Sequence, residues 1–323
     1  MSPLVIGHRG APGYRPEHTR SSYELAIASG VDAVEPDVVA TKDGVLVVRH
    51  ENEISGTTDV AAHPEFADRH RTKRFAGHTL TGWFTEDFTW PELATLRARE
   101  RLPEIRPDSA VHDGREPILR LSDLLALLAA AGRPVGLVLE IKHAAYFASI
   151  GLDLVPMIER DLAASGWTDA DAPLIVESFE PTVLERLRER GTPATYIQLI
   201  EAAGSPDDLV LARGAAAPTY REMVSPEGMD RLIGRVDGIS VDKKLILGKD
   251  GGGTALVAAA HDRGLRVFTW TCRPENRFLA RRFRAGGDPA ARGDFAAEWT
   301  VLREAGVDGV FVDHPDLGVG FFR

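Results

Sequence analysis

Eight short β-branched runs alternate with longer helical patterns along nearly the whole chain, and this alternation restricts the fold more than any other feature. The runs are Leu4–Gly7, Ala33–Val38, Val135–Ile141, Pro173–Ser178, Ala194–Leu199, Gly238–Val241, Arg266–Thr271 and Gly309–Val312. Strands separated by helices pair in parallel, because the crossover is long enough to carry the chain back to the starting edge. Eight such units suit closure, so an α/β fold of the (β/α)₈ TIM-barrel type is expected, as one domain over residues 1–323.

Several helix boundaries are legible. Ser21 with Glu24 has capping-box spacing, Ser122 precedes Leu124 and Leu125, and Pro181 suits a first helical position. Gly30, Gly132 and Gly191 stand where helices should stop. The rhythm fails only between His50 and Leu119, where charge, proline and aromatics mix without a sustained period. An inserted subdomain at 51–119 is expected there, following the second strand. The glycine-rich run Gly248–Thr254 lacks the order of a phosphate-binding P-loop and is expected to join a strand to a helix.

Composition excludes several classes of function. Hydrophobic residues form 44% of the 323 and charged residues 27%, the balance of a chain with a large core and a solvated surface. The net charge of −10 would repel nucleic acid and acidic membranes. One cysteine, Cys272, can form neither an internal disulfide nor a cysteine zinc site. No apolar stretch approaches the roughly 18 residues of a membrane span. The N-terminus reads MSPLVIGHRG without a basic leader or cleavage signal, so a cytoplasmic location is expected. None of this bears on oligomeric state.

Polar residues gather where strands should end. The segment GHRGAPGYRPEHT, residues 7–19, places His8, Arg9 and Glu17 in an irregular loop after the first strand. In the second strand Glu35 and Asp37 are two apart and share a face. Paired inward carboxylates repel, and a hard cation held by oxygen ligands would relieve them; on an edge strand they would simply face water. Asp43-Gly44 marks a hairpin. With those two residues as its turn, Lys42 opposes Val45 and Asp37 opposes His50, whereas a slip of one residue sets His50 opposite Pro36 or Val38. In the third strand Glu140 and Lys142 share a face, as a third metal oxygen and a cation for an anionic substrate, or as a structural ion pair. Trp270 ends the seventh strand as a candidate apolar wall. Glu177, Ser178, Gln198, Asp242 and Lys243 also fall at strand ends, each a weak signal alone.

GHRG, PEHT, the ExD of Glu35 and Asp37, TKDG with VVRH ending at His50, LEIK with Glu140 and Lys142, and the closing GVDGVFVDHPD closely resemble the glycerophosphodiester phosphodiesterases, in particular the larger bacterial branch with PEHT. The resemblance implies a (β/α)₈ barrel that hydrolyses small-molecule glycerophosphodiesters to sn-glycerol 3-phosphate and an alcohol with one divalent cation, Ca²⁺ or Mg²⁺. It implies Glu35, Asp37 and Glu140 as metal ligands, His8 and His50 as the acid/base pair, and Arg9 and Lys142 as phosphate contacts. Glu17 and Trp270 are further candidate substrate contacts from their place at strand ends, not from the resemblance. Glu51 stands where the family usually has Asp, which bears on the orientation of His50.

The 51–119 segment is expected to shape access and select the head group; Phe75, Trp83, Phe84, Phe88 and Trp90 either wall the pocket, as would suit choline or ethanolamine, or, for most of them, form the segment's own core. Two alternatives stand beside hydrolysis: a sphingomyelinase D-like phosphodiesterase acting by cyclisation, and a non-catalytic metal- and phosphate-binding module. The absence of a cysteine pair and the long insertion disfavour the first. The presence of both histidines disfavours the second.

Overall fold

The computed structural model of the protein describes residues 2–75, 77–169 and 173–323. Its strands, in chain order, are β1 (Leu4–His8), β2 (Ala33–Glu35), β3 (Asp37–Ala40), β4 (Leu46–Val48), β5 (Arg71–Phe75), β6 (His78–Gly82), β7 (Gly136–Ile141), β8 (Leu174–Ser178), β9 (Thr195–Ile200), β10 (Gly238–Asp242), β11 (Arg266–Cys272) and β12 (Gly309–Val312). The hydrogen-bonded order runs β2-β1-β12-β11-β10-β9-β8-β7-β3, and β2 also pairs with β7, so the parallel sheet closes on itself. All eight expected strands are present within a residue or two. Pro36 splits the second barrel strand into β2 and β3, because proline has no N–H for a central ladder. The barrel is the expected (β/α)₈ fold.

Period-two alternation sorts the strand residues into two cores. Ile6, Ala33, Val138, Ile175, Ile197, Phe268 and Phe311 form a small buried cluster. They plug the lumen, while the residues between them join the larger core under the outer helices. Two positions further along the same strand faces stand His8, Glu35, Glu140, Glu177, Trp270 and Asp313. The layer above the apolar plug is therefore polar, and it lies at the carboxyl ends of the strands.

Several boundaries differ from the sequence expectation. Thr19, not Ser21, caps helix Arg20–Ala28 by accepting from the Ser22 amide, and Ser21 instead bonds Glu116. Helix Leu121–Ala129 is capped by Arg120 with Asp123 as its box partner, two residues ahead of the Ser122 cap expected from sequence. Pro181 does open helix Pro181–Glu189. Gly248–Thr254 follows the short helix Lys243–Leu247 and precedes Leu256–His261, so it joins two helices.

Hairpin β3–β4 has the slipped register. Val38 faces Val48 and Ala40 faces Leu46. Thr41 pairs with Val45, leaving a three-residue turn of Lys42, Asp43 and Gly44 in which the Gly44 amide bonds the Thr41 carbonyl at 3.0 Å. Gly44 has φ 73°, the left-handed value that closes a three-residue loop and that a two-residue reading omits. Arg49, not His50, stands opposite Asp37, and its amide bonds the Asp37 carbonyl at 3.0 Å. His50 thus emerges opposite Pro36, at the barrel rim.

Within 51–119 the chain forms the β5–β6 hairpin, short 3₁₀ turns and two helical turns. Phe84 and Phe88 are fully buried, Phe66 packs edge-on against Phe88 at 5.0 Å, and Phe75 stacks on Tyr146 at 4.6 Å. Among the described residues no helix is long and apolar enough to cross a membrane.

Candidate active site at the carboxyl end of the barrel

Three buried carboxylates lie at the end of the second and third barrel strands. Register pairs His8 with Glu35 and Asp37 with Glu140, and Glu35, Asp37 and Glu140 each offer an oxygen within 4.8 Å of the others. Each also spends one oxygen on the protein. Glu35 Oε2 accepts from the Arg9 amide at 2.8 Å, Asp37 Oδ2 from His18 Nε2 at 2.9 Å, and Glu140 Oε1 from Lys142 Nζ at 2.8 Å. Glu35 Oε1 and Asp37 Oδ1 are buried without any hydrogen-bond partner. Burial, then the neighbouring carboxylates, push Glu35 well above the usual range. Burial likewise raises Glu140 against the pull of Lys142. Burial acts upward on Asp37 too, but His50, Lys142 and His18 together hold it well below. An all-oxygen set with two orphaned acceptors and mutual repulsion fits a hard divalent cation.

The loop after β1 bends sharply to reach this set. Among the described residues three non-glycine side chains have left-handed backbone, Arg9 (φ 57°), His18 (φ 61°) and His143 (φ 51°), and all three meet the mouth of the barrel. The turn at Arg9 is what brings its amide onto both the side chain and the carbonyl of Glu35. Its guanidinium bonds Glu17 at 3.0 Å and approaches Asp37 at 3.4 Å. Glu17 also holds Arg101 from the 51–119 segment. The two guanidiniums keep Glu17 well below the usual carboxylate range despite its burial.

Both histidines have a carboxylate behind them. His8 Nδ1 lies 2.6 Å from Asp313 Oδ1, and His50 Nδ1 lies 2.9 Å from Glu51 Oε1. Burial raises both acids, but Asp313 is held well below its usual range by Arg273, Arg106 and His8, and Glu51 by His143 and His50. Each is therefore a carboxylate that can only accept, so Nδ1 donates to it and Nε2 is left to take a proton as base or, once protonated, to give one as acid. Burial, then Arg9, pushes His8 down to about 4 and His50 well below its ordinary value. Lys142 Nζ stands 3.4 Å from His50 Nε2. Glu51, one carbon longer than Asp, reaches His50 because His143 anchors its other oxygen at 2.9 Å.

These groups line one cavity of about 1330 Å³. His8, Arg9, Glu17, Glu35, His50, Glu140, Lys142 and Trp270 all face it, while Asp37 lies just beneath, fully buried. The 51–119 segment contributes Glu51, Glu100, Arg101, Leu102 and Arg106 to the lining, not Phe75, Trp83, Phe84, Phe88 or Trp90.

Residues 8–317 match the glycerophosphoryl diester phosphodiesterase family. The chain belongs to that family. A glycerophosphodiester phosphodiesterase of Arabidopsis thaliana is 34% identical over 96% of this chain and 83% of its own length, and one of Treponema pallidum is 26% identical over 98% and 91%. An Oleispira antarctica phosphodiesterase solved with its product sn-glycerol-3-phosphate shares the fold, with TM-score 0.64 at 19% identity over 99% of this chain and 96% of that one. The protein is thus an enzyme of the phosphoric diester hydrolase class.

Some residues that build this glycerophosphodiesterase site were not legible as such. Asp313 sits in the closing GVDGVFVDHPD segment, which carries the resemblance without assigning it a role, and that role appears when closure brings β12 beside β1. Arg106 and Arg273 then bond Asp313, each at 2.6 Å. Glu177, a weak strand-end signal, is 1% exposed and carries an unpartnered Oε2. Cys272 is buried, and burial pushes its thiol up to about 12, so it plays no part.

Proposed function

We propose that the enzyme hydrolyses glycerophosphodiesters to sn-glycerol 3-phosphate and an alcohol, using one divalent cation, Ca²⁺ or Mg²⁺, and the pair His8 and His50. The observation that carries this reading is the convergence of two carboxylate-anchored imidazoles on one rim with three oxygen-donating carboxylates. Glu35, Asp37 and Glu140 would hold the cation, which when bound supplies positive charge to a phosphoryl oxygen.

Arg9 and Lys142 present fixed positive charge in the same cavity, where a phosphodiester gains negative charge in the transition state. Lys142 is held above its ordinary value by Glu140 and Asp37 against burial, so it stays an ammonium. Glu17 acts on the substrate through the two guanidiniums it holds, since a carboxylate facing phosphate would repel it. Trp270 closes the cavity on the β11 side. One imidazole takes the proton of the attacking water or glycerol hydroxyl as the new P–O bond forms. The other returns a proton to the leaving alkoxide as the old P–O bond breaks. The 51–119 segment serves this chemistry by carrying Arg101 to Glu17 and Arg106 to Asp313.

The test is release of glycerol 3-phosphate from purified protein with Ca²⁺ or Mg²⁺, with chelator, and in His8→Ala and His50→Ala. Loss on chelation and a fall of about 10²-fold or more in kcat for each variant are expected. Full activity after exhaustive chelation would remove the metal from the reading.

A further inference from the structure

Two neighbours make opposite demands on Nδ1 of His50. Glu51 Oε1 lies 2.9 Å away and can only accept, while Arg101 Nη1 lies 3.4 Å away and can only donate. A proton on Nδ1 suits the first, and a lone pair there suits the second. Whichever neighbour holds the ring therefore decides whether Nε2, which stands 3.4 Å from Lys142 Nζ, is free to take a proton.

Glu51 does not keep its place by stiffness of its own. It is half-buried, and a glutamate has one more side-chain rotor than an aspartate, so holding its carboxylate in one orientation costs more entropy. His143 supplies the restraint. Its Nε2 lies 2.9 Å from Oε2, the oxygen that Glu51 does not turn to His50. His143 itself leaves β7 with φ 51° and ψ 38°, a left-handed backbone that a non-glycine residue keeps only where its surroundings hold it.

Those surroundings come from the 51–119 segment and the short helix Ala144–Ser149. Phe75 of β5 meets the His143 ring edge-on at 5.2 Å and stacks on Tyr146 at 4.6 Å. The Tyr146 hydroxyl donates to buried Glu86 at 2.6 Å. Glu86 also accepts from Lys73 at 2.8 Å and, at 3.1 and 3.2 Å, from the side-chain amide of Asn52, the residue after Glu51. Residues 51 and 52 are thus tied to the chain after β7 at two points, through His143 and through Tyr146.

We propose that His143 is a positioning residue, which holds Glu51 against Nδ1 of His50 and keeps Arg101 from taking that nitrogen. The proposal rests on the reading of His50 as a proton-transfer group. His143 acts through Glu51, and the 51–119 segment acts on His50 through Phe75 and His143. With Glu51 released, the Arg101 guanidinium is the donor left beside Nδ1, and the proton moves to Nε2, where His50 no longer serves as a base.

Long-range proton–nitrogen NMR of protein labelled with ¹⁵N-histidine reads the tautomer without turnover, at about pH 8 where histidine is neutral, with the His50 signals assigned by their loss in His50→Gln. Wild-type His50 should carry its proton on Nδ1, and His143→Ala should move much of it to Nε2. Glycerol 3-phosphate release from glycerophosphocholine should then fall about tenfold in kcat, with KM changed by less than about twofold. His143→Gln, whose side-chain amide restores a donor to Glu51, should recover most of both readouts. In a Glu51→Gln background His143→Ala should cost no more than about twofold further, because both act on the same nitrogen. His143→Met keeps the contact with Phe75 without a donor and serves if His143→Ala fails to fold. A proton that stays on Nδ1 in the donorless variants, or a loss of kcat as large in the Glu51→Gln background as in the wild type, would overturn the positioning role. A wild type that releases no glycerol 3-phosphate, while the His50 proton still moves with His143, would overturn the hydrolytic reading and leave the positioning role standing.

Discussion

Asp313 accepts from Nδ1 of His8 at 2.6 Å across 305 residues of sequence, and the same carboxylate accepts from Arg106 and Arg273. It selects the His8 tautomer and stabilises the imidazolium that proton transfer creates. Asp313→Asn should therefore lower kcat by about 10²- to 10⁴-fold with a smaller change in KM. Steady-state kinetics on a variant shown folded by circular dichroism checks it, and an unchanged kcat would detach Asp313 from catalysis.

Arg106 gives the 51–119 segment a direct hold on that carboxylate. Its Nε bonds Glu275 at 2.8 Å while its other arm bonds Asp313, and the side chain is buried. Arg106→Met should lower kcat, and in combination with Asp313→Asn the two effects should fall short of additivity, because both act through the orientation of His8. Strict additivity of the two in log kcat would mean that the segment affects catalysis by another route.

The sequence showed the barrel well because parallel strands buried on both faces read as unmistakable apolar runs. It showed the carboxylates for a related reason: Glu35, Asp37, Glu140 and Lys142 interrupt those runs with the correct period. It misplaced His50 by one residue, since Thr41 could be read as strand or turn and only Gly44's left-handed backbone decides between them. It could not show Asp313 behind His8 or Arg101 against Glu17. Those neighbours are made by barrel closure and by loops of separate strands, and no local pattern encodes them.

The repulsion among Glu35, Asp37 and Glu140 implies that a bound cation stabilises the fold. Saturating Ca²⁺ or Mg²⁺ should raise the melting temperature, by linkage worth about 2.7 kcal/mol at a hundredfold excess over Kd. Asp37→Asn should abolish most of that rise, since the orphaned Oδ1 is lost as an anionic ligand. Thermal unfolding with and without cation decides it. An equal rise in the variant would place the cation elsewhere.

His314 predicts an acid-sensitive fold independent of the metal site. Its ring is 5% exposed, packs edge-on against Tyr14 at 4.9 Å and fills the space that a side chain at position 13 would need, where the chain has Gly13. Nδ1 has no hydrogen-bond partner. Burial lowers the imidazole from 6.5 to about 4, with Arg106 and Arg292 adding to the fall and Glu275 and Asp313 opposing it. The folded group thus stays neutral over a range where the unfolded one takes a proton. The contribution is complete above pH 6.5 and is lost progressively as pH falls toward about 4. Between pH 7 and pH 5 the loss from this one group should be about 2 kcal/mol. His314→Gln removes the titration, so its unfolding free energy should fall by about 2 kcal/mol less than the wild type's over that interval, whatever the substitution costs at pH 7. His8 and His18, also lowered to about 4 by burial, remain in both proteins and leave a common residual slope. Urea unfolding at the two pH values measures the difference, and parallel slopes in the two proteins would show that His314 is already protonated or solvated in the fold.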